Sequence, residues 1–193
     1  MSITWSMTRP TKAIHSRGLR VTVAALALAA GSVATTAAAP ATASPTASAS
    51  GPVAHCRNAD LKVSYRHAVG GDGMNQHWGW IIIRNRSHHR CATGGYGGIS
   101  YVGHGNGTQI GAAATRLAPA PRTFIVKPGH ALRSAIDEIN ASVYDHSRCR
   151  PRHVDGFRVY VPNATRSQYV PHPTTGCANR RVHLLMHRAY RRP

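Results

Sequence analysis

Thirteen histidines, four cysteines and 21 arginines are the side chains of this 193-residue sequence with the most chemistry to offer, against only 6 Asp+Glu. The histidines include His88-His89, His104, His183 and His187. A zinc site needs ligands within about 2.0–2.1 Å of one ion. His183 and His187 meet on a helix, but on a strand they stand about 13 Å apart, and the strand is the preferred reading. There is no Cys-x-x-Cys. The histidines are therefore read as solvated surface groups, and no metal is expected. Serines and histidines abound, and Asp137, Asp145 and Asp155 are available to orient a base. Gly-x-Ser-x-Gly is absent, however, and a catalytic triad is recognised by geometry rather than by residue counts. Asp137-Glu138 on a strand points to opposite faces and makes no carboxylate pair. The clusters Gly70-Gly-Asp-Gly73 and Gly103-His-Gly-Asn-Gly107 lack the Lys-Ser/Thr of a phosphate loop and read as turns. No catalytic or cofactor-binding residue is expected.

Positive charge is the strongest remaining signal, at a formal +18. Arg84, Arg86 and Arg90 precede Cys91; Arg148, Arg150 and Arg152 flank Cys149; Arg180, Arg181, Arg188, Arg191 and Arg192 crowd the C-terminus. Such a surface attracts polyanions through counterion release. The expected partner is an anionic cell-wall polymer or another extracellular polyanion, with Tyr101, Tyr144, Tyr160 and Tyr169 as flat contacts between the charges. No nucleic-acid-binding motif is visible.

The first 43 residues carry Arg9, Lys12, Arg17 and Arg20, no acid, and then the apolar run Val21–Ala30. A basic region, a short apolar core and a small-residue cleavage site at Ala41-Thr-Ala43 make a secretory signal. The run is too short for the roughly 20 residues of a membrane span; retention as an uncleaved anchor is the alternative. Residues 44–54, small and polar with two prolines, read as a disordered linker. The folded domain is then 55–193, with a basic C-terminal tail. An exported chain meets an oxidising compartment, so Cys56, Cys91, Cys149 and Cys177 are expected to form two disulfides. Spacing does not choose among three connectivities. Nearest-neighbour pairing closes loops of 35 and 28 residues, each contributing about 3 kcal/mol.

Leu61–Tyr65 alternates apolar and polar as a half-buried strand does. Trp78–Ile83 is aromatic and β-branched and reads as a strand buried on both sides. Tyr96–Val102, Thr108–Leu117, Thr123–Val126, Phe157–Val161 and Val182–Met186 follow. Leu132, Ala135, Ile136 and Ile139 also fit helical spacing, as do Val182, Leu185, Met186, Ala189 and Tyr190, but turn signals every ten residues or so favour strands. About eight short strands with regular turns point to an all-β antiparallel sandwich.

The order Cys56…Leu61, Asn85…Cys91, Gly95-Tyr96, Val126-Lys-Pro-Gly129 with Ala131 and Ala135, Cys149, Val159-Tyr-Val-Pro162, Cys177 resembles the actinobacterial secreted family called domain of unknown function 4232. The resemblance runs from Cys56 to the C-terminus. It implies export and one immunoglobulin-like sandwich with paired cysteines, and no reaction. Thr93 and Gly97 stand where that family has Leu and Pro. The function expected is that of a secreted, non-enzymatic binding or structural module of the cell envelope or exterior; the alternative is a secreted hydrolase with an unrecognised site.

Overall fold

The computed structural model describes residues 51–193. The segment read as a secretory signal, residues 1–43, and residues 44–50 of the expected linker lie outside the described residues. The chain is already tied into the fold at Ala54, whose carbonyl accepts from Ala92 N at 2.8 Å, while Cys56 N donates back to Ala92 O at 2.9 Å.

Eleven strands form among the described residues: β1 (Leu61–Gly73), β2 (Gln76–Asn85), β3 (Cys91–Gly94), β4 (Gly98–Gly103), β5 (Thr108–Ile110), β6 (Thr115–Leu117), β7 (Thr123–Val126), β8 (Ala131–Ile139), β9 (Pro151–Tyr160), β10 (Ser167–Cys177) and β11 (Leu185–Arg188). One α-helical turn, α1 (His146–Cys149), precedes β9. A five-stranded sheet runs β1-β2-β8-β11-β6, a four-stranded sheet runs β10-β9-β4-β5, and β3 pairs with β7 alone. All pairs are antiparallel except β6 with β11. The strands divide as they do because the chain changes sheet within Thr108–Leu117. Gly111 turns it at φ 68°, lying so close to the Cys177 carbonyl that no Cβ fits.

The alternation is realised over Leu61–Tyr65 of β1 and throughout β8. Leu61, Val63, Leu132, Ser134, Ile136 and Glu138 point inward and are buried. Facing them from the four-stranded sheet are Ile99, Tyr101, Val154, Phe157, Val159 and Val170, and all the apolar members belong to one core cluster. Two sheets each bury one face against the other, which is the sandwich arrangement. The ambiguous Leu132–Ile139 stretch is β8, and the last strand begins three residues later than the sequence suggests.

Two local readings change. The β1–β2 reversal falls on Met74-Asn75, at φ 50° and 62°, the left-handed pair of a two-residue hairpin turn. Gly70 and Gly71 instead sit where the register slips between His67 and Asp72. Nor is β2 buried on both sides. Gly79, Ile81 and Ile83 are interior, but Trp78 is 38% exposed and Trp80 and Ile82 are half-buried on the outer face. Nothing in the described chain covers that face fully, so apolar side chains there meet solvent.

Candidate polyanion interface

The outward face of the five-stranded sheet is set by register. Lys62 lies opposite Arg84, and Arg66 opposite Trp80. Ile82 lies opposite Arg133, and Arg84 opposite Ala131. Arg66, Trp80, Ile82, Arg84, Ala131 and Arg133 line a groove of about 520 Å³ together with His67, Ala68, Val69 and Pro193, and Lys62 stands on the same face beyond it. The Arg133 guanidinium sits 4.1 Å from the Trp80 ring centroid. Its Nε is buried and has no hydrogen-bond partner. Arg84 is steadied by donating Nη1 to Gly129 O.

Of the predicted arginines, only Arg84 belongs to this groove. Arg66, Arg133 and Trp80 were missed; the period-two alternation through Trp78, Trp80, Ile82 and Arg84 was the available signal. Arg86 and Arg90 are exposed in the loop before Cys91, with Arg86 Nε donating to Ala59 O at 2.9 Å. Arg148, Arg150, Arg152, Arg180 and Arg181 form two segments in sequence but one locus in space. The Cys149–Cys177 disulfide joins them; Asn179 Nδ2 donates to Arg148 O at 2.8 Å, and Ala178 N to Arg150 O at 3.1 Å. Arg188 is half-buried and lies 3.5 Å from Asp137. Arg191 pairs through its backbone with Arg133, and Arg192 stands 5.7 Å from the Phe124 ring. Tyr101 is only 4% exposed, so it is no surface contact.

The carboxylates explain why so much positive charge is left free. Residues 51–193 hold 18 arginines and two lysines against all six acids. Only Arg57 and Arg188 lie within 4.0 Å of a carboxylate, leaving 16 arginines without one. Histidines take the acids instead: His67 and His77 on Asp72, His89 on Asp60, His153 on Asp155 and His172 on Glu138. Burial pushes the Asp60 carboxyl up, but hydrogen bonds from Arg57 outweigh it and hold the group below the usual range. The hydrogen bond from His77, with the nearby His67, lowers Asp72.

Glu138 is the interior counterpart of this surface. It accepts from Tyr101 Oη at 2.6 Å, His172 Nε2 at 2.9 Å and Tyr65 Oη at 3.1 Å. His172 also stacks on Phe157, with centroids 4.6 Å apart and planes 11° apart. Burial, reinforced by the negative Glu138, raises both tyrosine hydroxyls well above their usual range. Both therefore remain protonated donors. Gly79 leaves the space Tyr65 needs: a Cβ there would meet the tyrosine ring and hydroxyl within 2.5–2.8 Å. The network joins β1 and β8 to β4 and β10, so it couples the two sheets.

Among the described residues no three His, Cys, Asp or Glu side chains gather as metal ligands. His183 and His187 part company: His183 is exposed before β11, and His187 is 1% exposed inside it. Ser134 Oγ lies 3.4 Å from His187 Nδ1 and donates to Arg188 O. This serine–histidine pair is sealed in the core, with Ser134 at 0% exposure, and substrate has no approach to it. Burial, aided by repulsion from Arg116, lowers the His187 pKa to about 4. The unfolded histidine binds a proton near 6.5 and the folded one does not until about 4. Stability is thus complete above pH 6.5 and falls as pH drops toward 4, by about 3 kcal/mol for a shift of this size. Urea melts across that range check it, and H187Q is expected to flatten this part of the acid limb.

These features define a disulfide-stapled β-sandwich of a five-stranded and a four-stranded sheet, with β3 and β7 as a separate pair. No helix among the described residues is long and apolar enough to cross a membrane. The chain belongs to the family called domain of unknown function 4232, whose model matches residues 56–186. The match takes in both disulfides, Cys56–Cys91 and Cys149–Cys177, and all but the end of β11. Where the family resemblance calls for Pro, Gly97 presses against the Tyr160 carbonyl and leaves no room for a Cβ. No curated protein and no solved structure matches the chain.

Proposed function

We propose that this is a secreted, non-enzymatic module of the cell envelope or exterior that binds anionic polymers through its basic surface. The observation that carries the reading is the set of 16 arginines with no carboxylate within 4.0 Å. An arginine already neutralised by a neighbour releases few counterions on binding; an unpaired one contributes fully. Export is supported by the signal-like residues 1–43 and by two disulfides, which persist in oxidising compartments. The sealed position of Ser134 and His187 removes that serine–histidine pair as a catalytic candidate.

Retention on heparin or on anionic wall material tests it. Elution is expected to shift strongly with salt, with log K falling linearly in log salt at a slope set by the phosphates or sulfates neutralised. Salt-independent elution, or none retained at low salt, defeats the reading.

A further inference from the structure

We propose that the groove on the outer face of the five-stranded sheet is the specific seat of the polymer. Its ligand is a chain of non-aromatic anionic groups, phosphodiester, sulfate or carboxylate, on a polyol or sugar backbone. The proposal rests on the polyanion reading above and names its site and ligand class.

Four cations stand on three neighbouring strands: Lys62 and Arg66 on β1, Arg84 on β2 and Arg133 on β8. Positions on this lattice recur at about 5 Å across strands and about 7 Å along them. Trp80 and Ile82 lie between the cations as an apolar floor. Arg133 is preset for an anion. Its guanidinium carbon lies over the Trp80 ring at 4.1 Å, and a guanidinium that rests on an aromatic ring keeps its N–H edge for bidentate donation. Its buried Nε has no acceptor in the protein. A buried donor without a partner is costly.

The same stack argues against nucleobases. Recognition of single-stranded nucleic acid needs open aromatic faces, and Arg133 occupies the face of Trp80. Trp78 is exposed but lies opposite Asp137, whose carboxylate repels a nearby phosphate. An aliphatic or sugar backbone needs only the indole edge and Ile82. The arginine locus around Cys149–Cys177 has only the looser contact of Arg148 over Tyr144, at 5.5 Å, against 4.1 Å for Arg133 over Trp80, so it contributes attraction at a distance.

The test titrates the whole protein, by tryptophan fluorescence over a salt series, with poly(glycerol phosphate), heparin and oligo(dT) matched in charge. R66A/R84A/R133A is compared with R148A/R150A/R152A, which removes the same charge. At about 150 mM salt the groove variant is expected to lose about tenfold or more in affinity for poly(glycerol phosphate), and the distal variant about threefold or less. R133K keeps the charge but neither stacks flat nor donates bidentately, and it is expected to lose several-fold while remaining folded. Equal losses in the two triple variants, or an unaffected R133K, overturn the groove. Tighter binding of oligo(dT) than of poly(glycerol phosphate) overturns the ligand class. If the unmodified protein binds none of the three probes, the polyanion reading itself fails.

Discussion

Replacing Glu138 with alanine is expected to lower the unfolding free energy by about 3–5 kcal/mol, because it strips three donors of their common acceptor. Tyr101 is 4% exposed and its hydroxyl hydrogen-bonds Glu138. With the carboxylate gone, that hydroxyl is orphaned in the core, which costs about 1–3 kcal/mol, and hydrogen bonds to a charged acceptor are lost as well. Tyr65 and His172 are partly open and recover water. E138Q keeps an acceptor oxygen and is expected to cost less. The triple variant Y65F/Y101F/E138L removes donors and acceptor together and is expected to regain most of the loss. Denaturant midpoints with unchanged slopes measure each step. If the triple variant is no better than E138A, the cost lies in packing rather than in the hydrogen bonds.

Removing the Cys149–Cys177 bridge as C149S/C177S is expected to cost about 3.5 kcal/mol, the chain-entropy value for a loop of this size. The separation is 28 residues. The Cys56–Cys91 bridge, with 35 residues between its ends, is expected to be worth a similar amount. The two losses differ in their functional consequence. Cys149 ends α1, and Cys177 ends β10 beside the hydrogen bonds by which Asn179 Nδ2 and Ala178 N hold the Arg148 and Arg150 carbonyls. Opening this bridge is expected to scatter the distal arginine locus, weakening polymer retention at low salt while leaving the groove intact. Cys56 instead pins the entry of the chain to β3, so its loss frees residues before β1 and leaves the groove and the distal arginine locus in place. Thermal melts and salt elution of the two double variants separate these effects.

The parts that could be read directly are those governed by local period. Leu61-Lys-Val-Ser-Tyr65 states its own inward face, and β8 alternates without exception from Ala131 to Ile139. β2 misleads because Trp78, Trp80 and Ile82 are as apolar as Ile81 and Ile83. A strand apolar on both sides does not say which side the partner sheet covers. Asp137-Glu138 was legible as a pair split between faces. That the inward member would gather two tyrosines and a histidine was not, since Tyr65, Tyr101 and His172 come from strands 34 to 73 residues away.

The amino-acid sequence alone determined the β-rich class, the family, the surplus of arginine over acid and the presence of four cysteines to be paired. Each depends on composition, on neighbours a few residues apart or, for the family, on the order of short marks along the chain. Tertiary structure alone decided which cysteines meet, which arginines share a surface and which way β2 faces. It did so because β2 pairs with β8 across some fifty residues. The energy of that pairing resides in contacts between distant segments, which no short window of sequence contains.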